Sequence, residues 1–171
     1  MSPTGSRSDD EPTRWLDADE RATWLTLSRM IVKLPSALDA QLERDADLNY
    51  FEYLVMAMLS EQETRALRMS QLAALSNASL SRLSHVAKRL ESRGFLQREP
   101  DPDDGRFTRA VLSDAGLDKV VQSARGHVTA VRELVFDALT PLEQRQLRES
   151  IGAILTRVDP GNSSWPQPPA V

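Results

Sequence analysis

Cysteine is absent from the 171-residue chain, which excludes disulfides and thiolate zinc sites. No apolar run approaches the ~18 residues of a membrane-spanning helix. The first residues, Met-Ser-Pro-Thr-Gly-Ser-Arg-Ser-Asp-Asp-Glu-Pro, show no signal-peptide pattern, so a cytoplasmic location and no membrane partner are expected. Histidine occurs only at 85 and 127, and neither stands at a metal-ligand spacing from an acid, so no metal is expected. Ser84 and His85 are adjacent, but neighbours on a helix do not face one another, and no nucleophile elbow or phosphate-binding glycine loop exists. The expectation is therefore a chain that is not an enzyme and carries no cofactor. Proline is missing between Pro35 and Pro100, which leaves room for nearly unbroken helix.

The stretch from 70 to 94 organises the rest. Ser70 is a candidate N-cap for a short helix with Leu72, Ala73 and Leu75 inward, and Ser79 for a second helix after a turn at Ser76, Asn77 and Ala78. That second helix aligns Leu83, Val86, Ala87 and Leu90 in one apolar stripe. Its other face carries Ser81, Arg82, Ser84, His85, Lys88 and Arg89, with no carboxylate before Glu91. Gly94 sits where a left-handed C-cap would end the helix. A strand at 95–99, a Pro-Asp-Pro-Asp-Asp-Gly turn and a strand at 106–112 follow. Helix, turn, helix and hairpin make a winged helix-turn-helix, in which the second helix enters the major groove of DNA and the hairpin tip reaches the minor groove.

The net charge of −4 gives no hint of nucleic acid, but its distribution does. Residues 65–109 hold nine basic side chains (Arg65, Arg68, Arg82, Lys88, Arg89, Arg93, Arg98, Arg106, Arg109) against five acids (Glu91, Glu99, Asp101, Asp103, Asp104). Arg82, Ser84 and His85 are assigned to base edges, with Ser79 and Ser81 beside them, and Lys88, Arg89 and Arg68 to phosphates. Arg106 is assigned to the minor groove, with Asp104 placed to orient a guanidinium.

The whole chain reads as mainly α with a small β wing. Residues 1–12 form a disordered tail, 13–46 an N-terminal helix, 47–112 the winged helix-turn-helix, 113–158 C-terminal helices, and 159–171 a disordered Pro-rich tail containing Trp165. Asp17 with Glu20 opens the first helix, which Pro35 should kink, and Asn49 with Glu52 opens the next. Ser113 caps a helix expected to continue through Ala138, and Gly126 is a possible bend within it. Thr140-Pro141-Leu142-Glu143 opens the last. The seams containing Leu27, Ile31, Leu147, Ile151 and Ile154 bury one another either within a subunit or across a two-fold axis, which would make the terminal helices a dimerisation device.

The sequence resembles the multiple antibiotic resistance (MarR) regulators over roughly residues 15–158. The resemblance rests on Arg-Met-Ser-Gln-Leu-Ala at 68–73, Ser-x-Ser-Arg-Leu-Ser at 79–84, Arg-Leu-Glu-Ser-Arg-Gly-Phe at 89–95, Asp-Pro-Asp-Asp-Gly-Arg at 101–106 and Val-Leu-Ser-Asp-Ala-Gly at 111–116. It implies a homodimeric transcriptional regulator, a repressor binding a roughly palindromic double-stranded DNA operator. It further implies release by a small lipophilic or aromatic acid effector, for which Trp24, Ser28, Ile31, Tyr50 and Tyr53 form either the pocket or simply ordinary core, and the absence of cysteine excludes the family's cysteine-based oxidant sensing. The alternative reading is a winged-helix interaction module whose basic face meets an acidic protein partner.

Overall fold

The computed structural model describes residues 13–160. The tail expected at 1–12 and nearly all of that expected after 159, Trp165 included, lie outside the described residues. The chain divides at Pro35 into two compact units. Helix α1 (Ala18–Ala46) contains Pro35 and begins in a reciprocal cap: the Glu20 amide donates to Asp17 Oδ1 at 2.8 Å, and the Asp17 amide to Glu20 Oε2 at 3.0 Å. In the first unit Trp15, Leu16, Trp24, Leu25, Met30, Ile31 and Val32 are all exposed.

In the second unit, α2 (Tyr50–Ser60) starts at the expected Asn49/Glu52 capping box, and β1 (Ala66–Arg68) leads directly into α3 (Met69–Leu75). Asn77, at φ +49°, closes α3: its amide donates to the Ala74 carbonyl, and that of Ala78 to the Ala73 carbonyl. Helix α4 (Leu80–Ser92) then begins at the Ser79 cap. It ends in the same pattern, with Gly94 at φ +76° and the Phe95 amide donating 3.0 Å to the Leu90 carbonyl. Strands β2 (Leu96–Pro100) and β3 (Thr108–Leu112) form the hairpin, and β1 joins its far side to give the antiparallel order β1-β3-β2. Helix α5 (Asp114–Leu134) starts at the Ser113 cap, and α6 (Pro141–Val158) at the Thr140/Glu143 capping box. Leu42, Leu48, Val55, Met56, Leu59, Leu72, Leu83, Leu90 and Leu96 are fully buried and bind α2, α3, α4 and the sheet to the C-terminal end of α1.

Three expectations need correction. Ser70 does not cap α3. The helix begins at Met69, which is buried, and Arg68 precedes it with its amide donating 3.2 Å to Gln71 Oε1. Strand β1 pairs Arg68 with Arg109, so the chain passes from strand to helix with no intervening turn for Ser70 to close. Helix α5 also stops at Leu134 rather than running through Ala138, and a 3-10 turn covers Phe136–Ala138. Pro141 disfavours helical backbone at Thr140, and the tighter turn brings the chain out of α5 before that point. Strand β2 lies one residue later than expected with its length unchanged, and β3 starts at Thr108 rather than Arg106, because the loop from Asp101 to Phe107 closes with its own backbone bonds.

Candidate nucleic-acid interface

The Ser79 hydroxyl accepts from the Arg82 amide at 3.2 Å, which fixes the first turn of α4. Leu83, Ala87 and Leu90 anchor one side of the helix in the core. Leu80, Ser81, Arg82, His85, Lys88 and Arg89 are exposed on the other side, and Ser84 is half-buried. Position 79, expected at the interface, is therefore also the residue that sets where the recognition surface begins.

The basic residues divide by their partners. Seven of the nine in residues 65–109 are ion-paired: Arg65 with Asp114, Arg68 with Asp101, Arg89 with Glu52, Arg93 with Asp47, Arg98 with Glu91, Arg106 with Asp104 and Arg109 with Glu99. Arg82 and Lys88 have no acidic partner among the described residues. Three of those acids, Asp47, Glu52 and Asp114, lie outside the basic segment, so counting charge within it overstated the free cations.

Two of the expected phosphate contacts have work inside the fold. Arg68 donates from Nε to Asp101 Oδ2 at 2.8 Å and from Nη2 to Oδ1 at 3.0 Å, while its guanidinium lies 4.9 Å over the Phe107 ring. Asp101 also accepts from the amides of Asp103 and Asp104, both at 3.1 Å. Arg68 holds its carboxyl well below the usual carboxylate range, at about 2. This clasp ties the start of α3 to the wing loop. Arg89 donates from Nε to Glu52 Oε1 at 2.5 Å, and the other oxygen of that buried carboxylate caps α2 by accepting from the Asn49 amide at 2.9 Å. One carboxylate thus joins α2 to α4.

At the wing tip, the Arg106 side chain is 85% exposed and bonds Asp104 in two places, Nε to Oδ1 at 2.9 Å and Nη2 to Oδ2 at 2.6 Å. The same pairing lowers the Asp104 pKa. Arg82, in contrast, places its guanidinium 4.3 Å from the centroid of the Phe51 ring, a neighbour with no sequence signal beyond its place on the half-buried side of α2.

The residues expected at an effector site are distributed over both units. Trp24 and Ile31 are exposed on the first part of α1, with Ser28 half-buried there. Tyr50 and Tyr53 of α2 flank His127 of α5, with ring centroids 6.1 and 4.6 Å away. Burial lowers the His127 pKa, and its Nδ1 is buried without a hydrogen-bond partner among the described residues. Burial, and then the neighbouring Tyr50, raises the pKa of Tyr53. Sequence reasoning missed His127 because it searched histidines for metal spacing, not for aromatic neighbours.

Comparison with known proteins gives this geometry a family. A family model described as MarR family matches residues 48–108. The crystal structure of Sco3205, a MarR family transcriptional regulator from Streptomyces coelicolor, in complex with DNA, is similar at 38% identity and a TM-score of 0.82, over 91% of this chain and 98% of that one. AbsC, a MarR family transcriptional regulator from the same organism, is similar at 33% identity and a TM-score of 0.80, over 85% of this chain and 98% of that one. The transcriptional repressor MprA of Escherichia coli is 23% identical over 112 residues; the match spans 66% of this chain and 63% of the repressor's length. With two regulators above 30% identity matched almost end to end, and with the winged helix-turn-helix described above, the chain belongs to the MarR family of transcriptional regulators.

Proposed function

We propose that the protein is a homodimeric, effector-responsive repressor that binds a roughly palindromic DNA operator. The observation carrying this reading is the outward face of α4, where Ser81, Arg82, His85 and Lys88 are exposed, no carboxylate intervenes, and both Arg82 and Lys88 are free of acidic partners among the described residues. Arg82, Ser84 and His85 supply donors for base edges and Lys88 a phosphate contact. Arg106 enters the minor groove from the wing. Arg68 and Arg89 act at one remove, holding the wing and α4 in place. The complex of Sco3205 with DNA supports carrying this docking to the present chain. No catalytic role is assigned. No helix among the described residues is long and apolar enough to cross a membrane, which accords with action on DNA in the cytoplasm.

For the effector, Tyr50 and Tyr53 with His127 supply an aromatic wall with polar edges, suited to an aromatic acid. Such a compound induces only by binding the form that does not fit the operator better than the form that does.

The experiment is to sequence genomic fragments retained by the purified protein and then titrate the recovered duplex by fluorescence anisotropy at two salt concentrations. Lys88→Ala should weaken binding to operator and random DNA alike and flatten the salt dependence, whereas Arg82→Ala should lose mainly operator preference, a difference of about 1–3 kcal/mol. Equal losses on both duplexes for Arg82→Ala would overturn the assignment of bases to Arg82.

A further inference from the structure

Among the described residues, three guanidinium groups lie over a phenylalanine ring: Arg68 over Phe107, Arg82 over Phe51 and Arg93 over Phe95. Two of them are also ion-paired, Arg68 with Asp101 and Arg93 with Asp47. Arg82 alone has the ring without the carboxylate, and its side chain makes no hydrogen bond to the described residues. The distinction is chemical. A carboxylate takes up one or two of the N–H groups of a guanidinium and competes with a base for them. A ring engages only its π face and leaves the five in-plane N–H donors unused.

We propose that Phe51 is a positioning residue for DNA recognition, holding the Arg82 guanidinium ready to donate to the O6 and N7 acceptors of a guanine in the major groove. The inference rests on the DNA-binding reading above and deepens it. Both ends of the arrangement are fixed. Phe51 is half-buried against the core in the first turn of α2, a helix held by its capping box. The Arg82 amide is bound by the Ser79 hydroxyl at the start of α4. The long side chain between those points loses rotamer freedom before DNA arrives, so less remains to be lost on binding. A bidentate contact to guanine needs a planar fork in a set orientation, which the stack supplies and a solvated lysine would not.

The test uses the full chain and the operator duplex recovered from genomic fragments. Phe51→Leu and Phe51→Met keep apolar bulk without the ring, whereas Phe51→Tyr and Phe51→Trp keep a ring. Loss of the ring should weaken operator binding about three- to tenfold, with near wild-type affinity in the aromatic variants. In an Arg82→Ala background the Phe51 substitutions should have no further effect. Replacing operator guanines singly with 7-deazaguanine should identify one position in each half-site that weakens the wild type but not Arg82→Ala. Thermal melts select the variants that remain folded, and either aliphatic replacement suffices. Equal weakening by Phe51→Leu with and without Arg82 would make Phe51 a packing residue and overturn the proposal, as would unchanged or tighter binding by the ring-free variants. If the wild type retains no genomic fragment above a scrambled control, the DNA-binding reading falls, and this inference with it.

Discussion

Arg68 and Asp101 lie 33 positions apart in sequence, yet their paired hydrogen bonds hold the wing against the entry to α3. The Asp101 pKa of about 2 gives this clasp a pH signature. A carboxylate with a depressed folded value stabilises the fold fully above its ordinary value, about 4, and loses that contribution as pH falls through the folded value. The gap in melting temperature between wild type and Asp101→Asn should therefore be constant from neutral pH to about 4 and narrow as pH falls towards 2. A gap that stays constant to the lowest pH would mean that the charge on Asp101 does not matter. Arg106 presents the opposite case, a side chain 85% exposed and bonded, among the described residues, only to its loop neighbour Asp104. An exposed pair of this kind is screened by solvent and contributes little to stability. Arg106→Ala should therefore leave the circular-dichroism melt nearly unchanged while weakening operator binding severely; a large drop in melting temperature would make Arg106 structural.

At the scale of elements, the wing is positioned by a close approach that the Val-Leu-Ser-Asp-Ala-Gly motif encodes. Ser113 donates from its hydroxyl to the Gly94 carbonyl at 2.7 Å, and its amide donates to the Phe95 carbonyl at 3.1 Å, so the start of α5 docks on the joint between α4 and β2. A Cβ on Gly116 would stand 2.1 Å from the Phe95 carbonyl oxygen, a backbone atom that cannot turn aside. Gly116→Ala should lower stability by about 1–3 kcal/mol, read as a lower denaturation midpoint. Little change would mean that α5 can slide. Elements with local signals were legible in the sequence: the Asn49/Glu52 and Thr140/Glu143 boxes, the Ser79 and Ser113 caps, and Gly94 as a helix stop. Strand β1 was not, since Ala-Leu-Arg has no alternation long enough to read and exists because β3 offers it an edge. The site divided the same way. The face of α4 followed from periodicity, but the roles of Arg68 and Arg89 as fold-holding cations and the ring beneath Arg82 depend on residues up to 37 positions away, which no local spacing announces.

For the whole molecule, the unfinished surface lies on the terminal helices. The 18 residues of α6 include none that is buried, although Leu142, Leu147, Ile154, Leu155 and Val158 are apolar and exposed. Capping at Thr140 orders its first turn, but helices near this length are only marginally stable in water without a packed apolar face. Trp24, Met30 and Ile31 on α1 leave the first unit equally uncovered. A second copy of the chain is the occupant that the proposed palindromic operator requires. A two-fold axis would place two α4 helices in successive major grooves about 34 Å apart, and linking two half-site contacts converts modest individual affinities into tight binding. Ile151→Glu and Leu155→Glu, each placing a charge in the α6 seam, should therefore give a monomer or an unfolded chain in analytical ultracentrifugation at low micromolar concentration. Any folded monomer should bind a full operator no more tightly than a single half-site. If both variants remain dimeric and keep operator affinity, α6 is not the seam, and the two-fold would be built on other exposed apolar residues, those of the first unit or Val121, Val128 and Leu134 of α5.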